Sequence, residues 1–431
     1  MSYFALSSVL VCLAATFSLI SHRLLRLPAT VGVMLLSLIT SALLVVTGRS
    51  IPGFHAEAAA AISHIDFSSV VLHAMLAFLL FAGAMKLDLR SLSRQKAPVI
   101  ALATFGTIVS TLLVALLVKG ILSITGFHAE FTMCLLFGAL ISPTDPIAVL
   151  DLLRRVGAPA SLQAQLSGES LFNDGVGAVL FLTLLDSFSH GAKPSAAGFS
   201  WLLLVQAGGG IGLGLALGLI TYRLLRTVDA YRVEEMLTLA LAMGGYALAD
   251  ALHLSAPLEV VAAGLVAGGR AREFAMSPTT RDRVDRFWEL VDDLLNIILF
   301  LLMGLELLVM RWHWHYLLAG LLAIPVVLVA RWLSVSASLL LVRYWHTPVP
   351  GSHLTLTWGG MRGALAVALA LSLPPGLPHD RLIAITYVVV IFSVVVQGLT
   401  MDPLLRRLRL ASAVEAPSLC SAVLFFSVLH A

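Results

Sequence analysis

Charged residues are scarce in this chain: Asp, Glu, Lys and Arg make up 12% of 431 residues, against 59% that are apolar. Soluble globular domains carry about 25% charged and about 45–50% apolar residues. Half the usual charge cannot cover the surface of a water-soluble protein of this length, so that class is excluded. Cysteine is also rare, with Cys12 and Cys134 inside apolar runs and Cys420 near the end. None has metal-ligand spacing, no His/Cys cluster suggests a transition metal, and no cofactor is expected. The net charge of +3 is small, and no nucleic-acid partner is expected.

What the chain has instead is apolar runs of roughly 20 residues, the length that crosses a bilayer as helix. Thirteen segments are expected: 3–21, 29–47, 68–87, 98–118, 131–152, 161–185, 200–222, 235–254, 257–269, 287–310, 315–342, 353–373 and 382–404. The fold class is therefore an all-α polytopic membrane protein. The first segment has its basic residues, Arg23 and Arg26, behind it rather than in front, and is expected to be a span, not a cleaved leader. Loops after odd-numbered segments, with the C-terminal tail, hold 20 Lys and Arg, and the opposite side holds 5. By the positive-inside rule the N-terminus lies outside and the C-terminus in the cytoplasm.

Two segments are interrupted at matching places. The fifth carries Pro143 and Pro146 around Thr144 and Asp145; the twelfth carries Gly359, Gly360 and Gly363. Proline removes a backbone donor and glycine loosens a helix. The interruptions fall at the fifth member of two six-segment halves, 1–6 and 8–13, and the odd segment between them inverts the second half. Paired broken helices in inverted repeats mark the midplane site of a secondary transporter.

Ionisable groups at membrane depth are costly and usually functional. The set here is Asp145, Glu169, Asp174, Arg331 and Arg362. Ser170 and Asp174 are four apart on one helical face, and Glu169 and Asn173 share the adjacent one. With Thr144, Asp145 and freed carbonyls of the broken segment opposite, the oxygens suit a hard cation such as Na⁺. A carboxylate held away from water binds a proton more readily, and a bound cation favours the ionised form. Cation and proton then compete for one group, which alternating access turns into antiport. Asn173 beside Asp174 is neutral, so one cation per proton, an electroneutral exchange, is the expected stoichiometry. Glu169 and Arg331 read as a buried structural ion pair. Arg362, near the cytoplasmic start of its segment, is expected to snorkel or to hold a helix end.

These residues resemble the NhaP-type bacterial sodium/proton antiporters and, more distantly, the animal sodium/proton exchangers. The resemblance is carried by Ser142 to Phe181, with a TDP break followed by GESLFND, by TWGGMRGALAVALAL from Thr357 to Leu371, and by Ala330-Arg331. It implies a bacterial inner-membrane exchanger of Na⁺, Li⁺ or K⁺ for H⁺, working as a homodimer in pH homeostasis. It implies a membrane domain over residues 1–410 and a short tail over 411–431. Segments 4–6 and 11–13 would form a transport core moving against a dimerisation bundle. Asp174 would be the essential acid, Asp145, Thr144 and Ser170 would give oxygens, and Asn173 would complete an Asn-Asp pair. The rival readings are a cation channel and an intramembrane aspartyl protease, which would normally show a GxGD word where this chain has FNDG.

The chain departs from the family pattern at Ala82, where many relatives carry an acid. Glu259 stands where an apolar residue is expected, either as a compensating acid or, the reading favoured here, as an end-of-helix residue facing water. Asp292 and Asp293 are expected to face the cytoplasm or a funnel. Gly210, Gly214 and Gly218 form a small-residue face, for a dimer seam or for packing within the subunit. The 22 residues after Arg409 are expected to hold no folded domain, and the apolar Leu419–Leu429 stretch is too short to span.

Overall fold

The computed structural model describes residues 3–25, 27–47, 67–124, 130–189, 196–310, 313–344, 349, 351–374 and 379–408. The tail, with Cys420 and Leu419–Leu429, lies outside the described residues, as do Arg26 and Arg409. There is no strand among the described residues. The principal helices are α1 (Tyr3–Ile20), α2 (Ala29–Thr47), α3 (Leu76–Lys86), α4 (Thr107–Ile124), α5 (Phe131–Ile141) and α6 (Ile147–Val156). They continue as α7 (Ala160–Ser189), α8 (Ala196–Leu225), α9 (Tyr231–Ala251), α10 (Ala256–Val266) and α11 (Pro278–Leu305). The last are α12 (Trp314–Val342), α13 (Ser352–Gly359), α14 (Ala364–Leu371), α15 (His379–Phe392) and α16 (Gly398–Arg407).

Each of the thirteen expected segments overlaps helical backbone, the fifth and twelfth interrupted at 142–146 and 360–363. Eight of the described helices are long and apolar enough to cross a membrane, and nine if α13 and α14, bent by 40°, count as one span. The other four segments fall short for visible reasons. α5 and α6 are two short helices of 11 and 10 residues, and α10 has only 11. α9 carries Arg232, Glu234, Glu235 and Asp250, and the first half of α11 is rich in charge from Arg281 to Asp293.

Helix boundaries follow local chemistry. Ser255 Oγ accepts from the Leu258 N–H, with Pro257 in the first turn of α10; Ser277 and Pro278 open α11 in the same way. A hydroxyl cap satisfies one of the orphan N–H groups, and proline has none to lose there. α6 stops at Gly157, whose φ of 69° is the left-handed conformation of a helix C-terminus. Large apolar side chains such as Leu112, Leu116, Leu204, Leu321 and Val329 are exposed on the outer faces of the long helices. Exposed apolar side chains of this number on long helices fit a lipid surrounding.

The largest apolar cluster joins α2, α4 to α7 and α11 to α16, and both helix breaks lie within it. A second cluster, around Phe81, Val260 and Trp288, packs α3 and α10 against α7, α9 and α11. The glycine face of α8 is used inside the subunit. Gly210 lies against the Ser255 backbone, Gly214 against the Glu259 carbonyl, and Gly218 against Val266. A side chain at Gly214 has nowhere to go, because the obstruction is backbone of α10. Gly214→Val is expected to destabilise the protein by about 1–3 kcal/mol. Thermal unfolding in detergent should show a lower midpoint, whereas Gly212→Ala, which meets nothing within 4 Å, should leave it unchanged.

Candidate functional site

Both expected breaks are present. α5 ends at Ile141 and α6 begins at Ile147; α13 ends at Gly359 and α14 begins at Ala364. The two extended stretches face each other and satisfy one another. The Asp145 N–H donates to the Met361 carbonyl at 2.7 Å, and Arg362 Nη1 donates to the carbonyls of Ser142 and, at 3.1 Å, Pro143. Close approach demands glycine twice. A Cβ on Gly363 would run into the Asp145 side chain, and one on Gly360 into the Arg331 guanidinium.

α7 runs alongside and ties down the first break. Asn173 Nδ2 donates to Thr144 Oγ1 at 2.8 Å, while its Oδ1 accepts from the Thr144 N–H at 3.3 Å. Ser170 Oγ donates to the Thr144 carbonyl at 2.5 Å. Asp145 Oδ1 accepts from the Ile147 N–H at 3.0 Å, at the positive end of α6. A cavity of about 450 Å³ opens beside this cluster, lined by Thr144, Asp145, Ser170 and Asp174. The Asp174 carboxylate faces it and makes no hydrogen bond to protein among the described residues. Asp145 and Glu169 are both near enough to act on Asp174 electrostatically. The mouth of the cavity is lined by Lys86, Asp151, Arg154, Arg155, Asp292 and Asp293.

Glu169, on the neighbouring face of α7, turns the other way. It is fully buried and forms a two-armed ion pair with Arg331, Nη1 to Oε1 and Nη2 to Oε2 at 2.9 Å. Arg331 also donates from Nη2 and Nε to the Leu356 carbonyl at 2.8 and 3.2 Å. The expected ion pair is therefore present, and it braces α7 and α12 against α13.

Several expectations need correction. Asn173 does not line the cavity, because both ends of its amide are engaged by Thr144. Three of the freed carbonyls are already hydrogen-bonded within the protein: Arg362 donates to those of Ser142 and Pro143, and Ser170 to that of Thr144. Arg362 does not snorkel. It is 2% exposed, its backbone N–H donates to Ser393 Oγ at 2.8 Å, and its side chain holds the end of α5. Glu259 does not face water, since α8 and α9 cover the start of α10. It has no exposed surface, and its carboxylate rests against Gly245 without a hydrogen-bond partner. It does not line the cavity either, so it supplies no replacement acid there. Ala82 packs into the apolar cluster around Phe81; the cavity-facing positions of α3 are Leu76, Leu79, Leu80, Gly83 and Lys86. Asp292 and Asp293 do line the funnel. Sequence reasoning missed the Lys86–Asp292 ion pair at 2.7 Å, because 206 residues separate its members and neither lies in a motif.

The sodium/hydrogen exchanger transmembrane model matches residues 9–407. The chain belongs to the sodium/hydrogen exchanger family. Among relatives of this exchanger-family chain, it is 42% identical to the Na(+)/H(+) antiporter NhaP of Pseudomonas aeruginosa, over 95% of this chain and 98% of that one. It is 32% identical to the Na(+)/H(+) antiporter NhaH of Halobacillus aidingensis, over 94% and 98%. Its fold is similar to that of the sodium proton antiporter MjNhaP1 of Methanocaldococcus jannaschii, with a TM-score of 0.73 at 21% identity, covering 95% of this chain and 100% of that one. The family is one of transporters, not enzymes.

Removing one partner of a buried ion pair leaves the other charge uncompensated, at about 3–5 kcal/mol. Glu169→Ala is therefore expected to lower the thermal midpoint sharply in detergent. Glu169→Gln should chiefly lower expression or stability. Adding Arg331→Met to Glu169→Ala should recover part of the loss, and a double variant less stable than either single one would contradict the pairing.

Proposed function

We propose that this protein is a secondary-active antiporter that exchanges Na⁺ for H⁺ across the bacterial inner membrane by alternating access. The observation that carries the reading is the Asp174 carboxylate, which faces a cavity without a protein hydrogen bond, beside Ser170, Thr144 and Asp145. Its family membership and the names of its relatives support the same reading over a channel or a protease. Ser170 adds an oxygen whose proton is committed to the Thr144 carbonyl, so it presents lone pairs to the cavity. Asp174, Asp145, Ser170 and Thr144 are the oxygens we assign to the cation, and Asp174 is where the proton competes. Asn173 shapes the site by holding Thr144 rather than by touching the ion. Glu169 and Arg331 are scaffold, and Arg362 joins the two breaks.

On this reading all thirteen segments cross the membrane, as inverted halves 1–6 and 8–13 with the N-terminus outside and the C-terminus in the cytoplasm. Lys86, Arg154 and Arg155 at the cavity mouth belong to the loops counted as cytoplasmic, which supports a conformation open to the cytoplasm. Segments 4–6 and 11–13 form the moving core, and the remaining bundle pairs two copies as a homodimer. Na⁺ is the proposed cargo, with Li⁺ and K⁺ as the alternatives to be compared. One exchangeable carboxylate beside a neutral Asn173 supports one Na⁺ per H⁺.

In proteoliposomes with an imposed pH gradient, Na⁺ should dissipate the gradient, and Asp174→Asn should abolish this while the protein stays folded. Retained exchange in that variant would sink the assignment. Raising the membrane potential should leave the rate nearly unchanged; clear voltage dependence would refute one-for-one coupling. Cation current without coupled proton movement would point to a channel.

A further inference from the structure

Glu259 is a buried acid that neither the cavity nor an ion pair accounts for. It sits in the first turn of α10 with no exposed surface, and both its carboxylate oxygens lack a hydrogen-bond partner among the described residues. α8 and α9 close over it. α8 brings Gly214 against its backbone carbonyl, and α9 brings Gly245 against the carboxylate itself, where even a Cβ would collide with both oxygens. α10 also packs on α3 and α7, with Leu258 seated on Gly175, the chain neighbour of Asp174.

An ionised carboxylate without water, donor or counter-charge is too costly to keep, and such a group takes up a proton instead. A neutral carboxyl still leaves its own polar atoms unpaired, a far smaller cost than a buried charge. No counter-charge is at hand. Lys86 of α3, Asp174 of α7, Arg223 of α8 and Tyr246 and Asp250 of α9 are carried by the helices packed on α10, and none of them acts on Glu259 electrostatically. Tyr246 spends its hydroxyl on the Leu72 carbonyl at 2.5 Å. The positive end of α10 favours a carboxylate only weakly beside the cost of burial. A cation is no better placed, since Glu259 does not line the cavity and no metal-holding cluster of acids, histidines or cysteines occurs among the described residues. A proton needs no cavity, because it sits on the oxygen. We propose that Glu259 is a second proton-binding site, held neutral in the seam between α8, α9 and α10 and separate from the exchange carboxylate. Its proton is retained rather than exchanged, because the cavity opens on Asp174 and not on Glu259. Gly214 and Gly245 make the seam so tight that ionisation and close packing exclude each other. The fold thereby acquires an alkaline limit: loss of this proton loosens α10, on which the helix carrying Asp174 is seated through Gly175 and Leu258.

Infrared difference spectra of wild type against Glu259→Gln read the proton directly in purified protein. They involve no transport, so failure of the exchange reading would leave this test intact. At neutral pH the wild type should show the carbonyl stretch of a neutral carboxyl that the variant lacks. Saturating Na⁺ should leave that band in place, and it should persist in Asp174→Asn. A carboxylate band instead, or displacement of the carboxyl band by Na⁺, would overturn the proposal. Proton linkage supplies a second measurement. The folded protein keeps a proton that an unfolded glutamate releases above a pH of about 4.3, so the stabilisation is complete at low pH and declines as pH rises. Between about pH 6 and 8, each unit should cost wild type about tenfold more in its folding equilibrium than it costs Glu259→Gln. Denaturant unfolding in detergent checks this, and parallel pH slopes for the two proteins would refute the site. Should Glu259→Gln fail to fold, Glu259→Met removes both oxygens at similar length, and the same band and slope differences are expected of it.

Discussion

Everything at the centre of this molecule depends on two interrupted helices satisfying each other's backbone. Within a bilayer an unpaired N–H or carbonyl has no water to turn to, and non-helical backbone survives only where protein or a wet cavity supplies partners. Here the Asp145 N–H reaches Met361, and Arg362 reaches back to Ser142 and Pro143. The two breaks are therefore one structure in two parts. Each break supplies partners for the other, and the Asp145 backbone between them is held by Met361.

α7 is the other half of the arrangement, and its helical period separates roles by face. Ser170 and Asp174 look into the cavity; Glu169 and Asn173 look into protein. The inner pair is fully committed, one to Arg331 and one to Thr144, so it gives the helix a fixed rotation about its axis. A fixed rotation is what keeps Asp174 aimed at the cavity. Thus residues that would be grouped together by proximity divide into those committed to protein and those that face the cavity. The orientation of each follows from spacing along a single helix, and its commitment from the packing around it.

Much of this was readable before any coordinates. Long apolar runs can hardly be anything but helices; all thirteen overlap helical backbone, and eight or nine of the described helices are long and apolar enough to cross a membrane. Pro143 and Pro146, and the three glycines of 359–363, announce breaks because their backbone chemistry is local. The Glu169–Arg331 pair followed from the penalty of burying either charge alone. What could not be read was anything set by the partner across a gap. Arg362 sits among glycines whichever way it points, and only the fold brings Ser142 beneath it. Glu259 has a helix-start position that normally meets water, and the covering of that end by α8 and α9, with room made by Gly245, is a tertiary fact. At α3 the uncertainty was one of phase: a step of one residue separates Ala82 in the apolar cluster from Gly83 on the cavity.

The clamp on Thr144 has a further consequence. Its N–H, hydroxyl and carbonyl are each held by α7, while the carbonyls of Ser142 and Pro143 are held by Arg362, so this part of the cavity wall has little freedom to rearrange internally. If the site carries its cargo as proposed, it travels as a rigid unit, and its inner oxygens compare Na⁺ with H⁺ by the same standard at either surface. Such a device has no preferred direction of its own. Net flow would reverse whenever the two gradients reverse, and any asymmetry between the faces must come from what stands in the approach rather than from the seat itself.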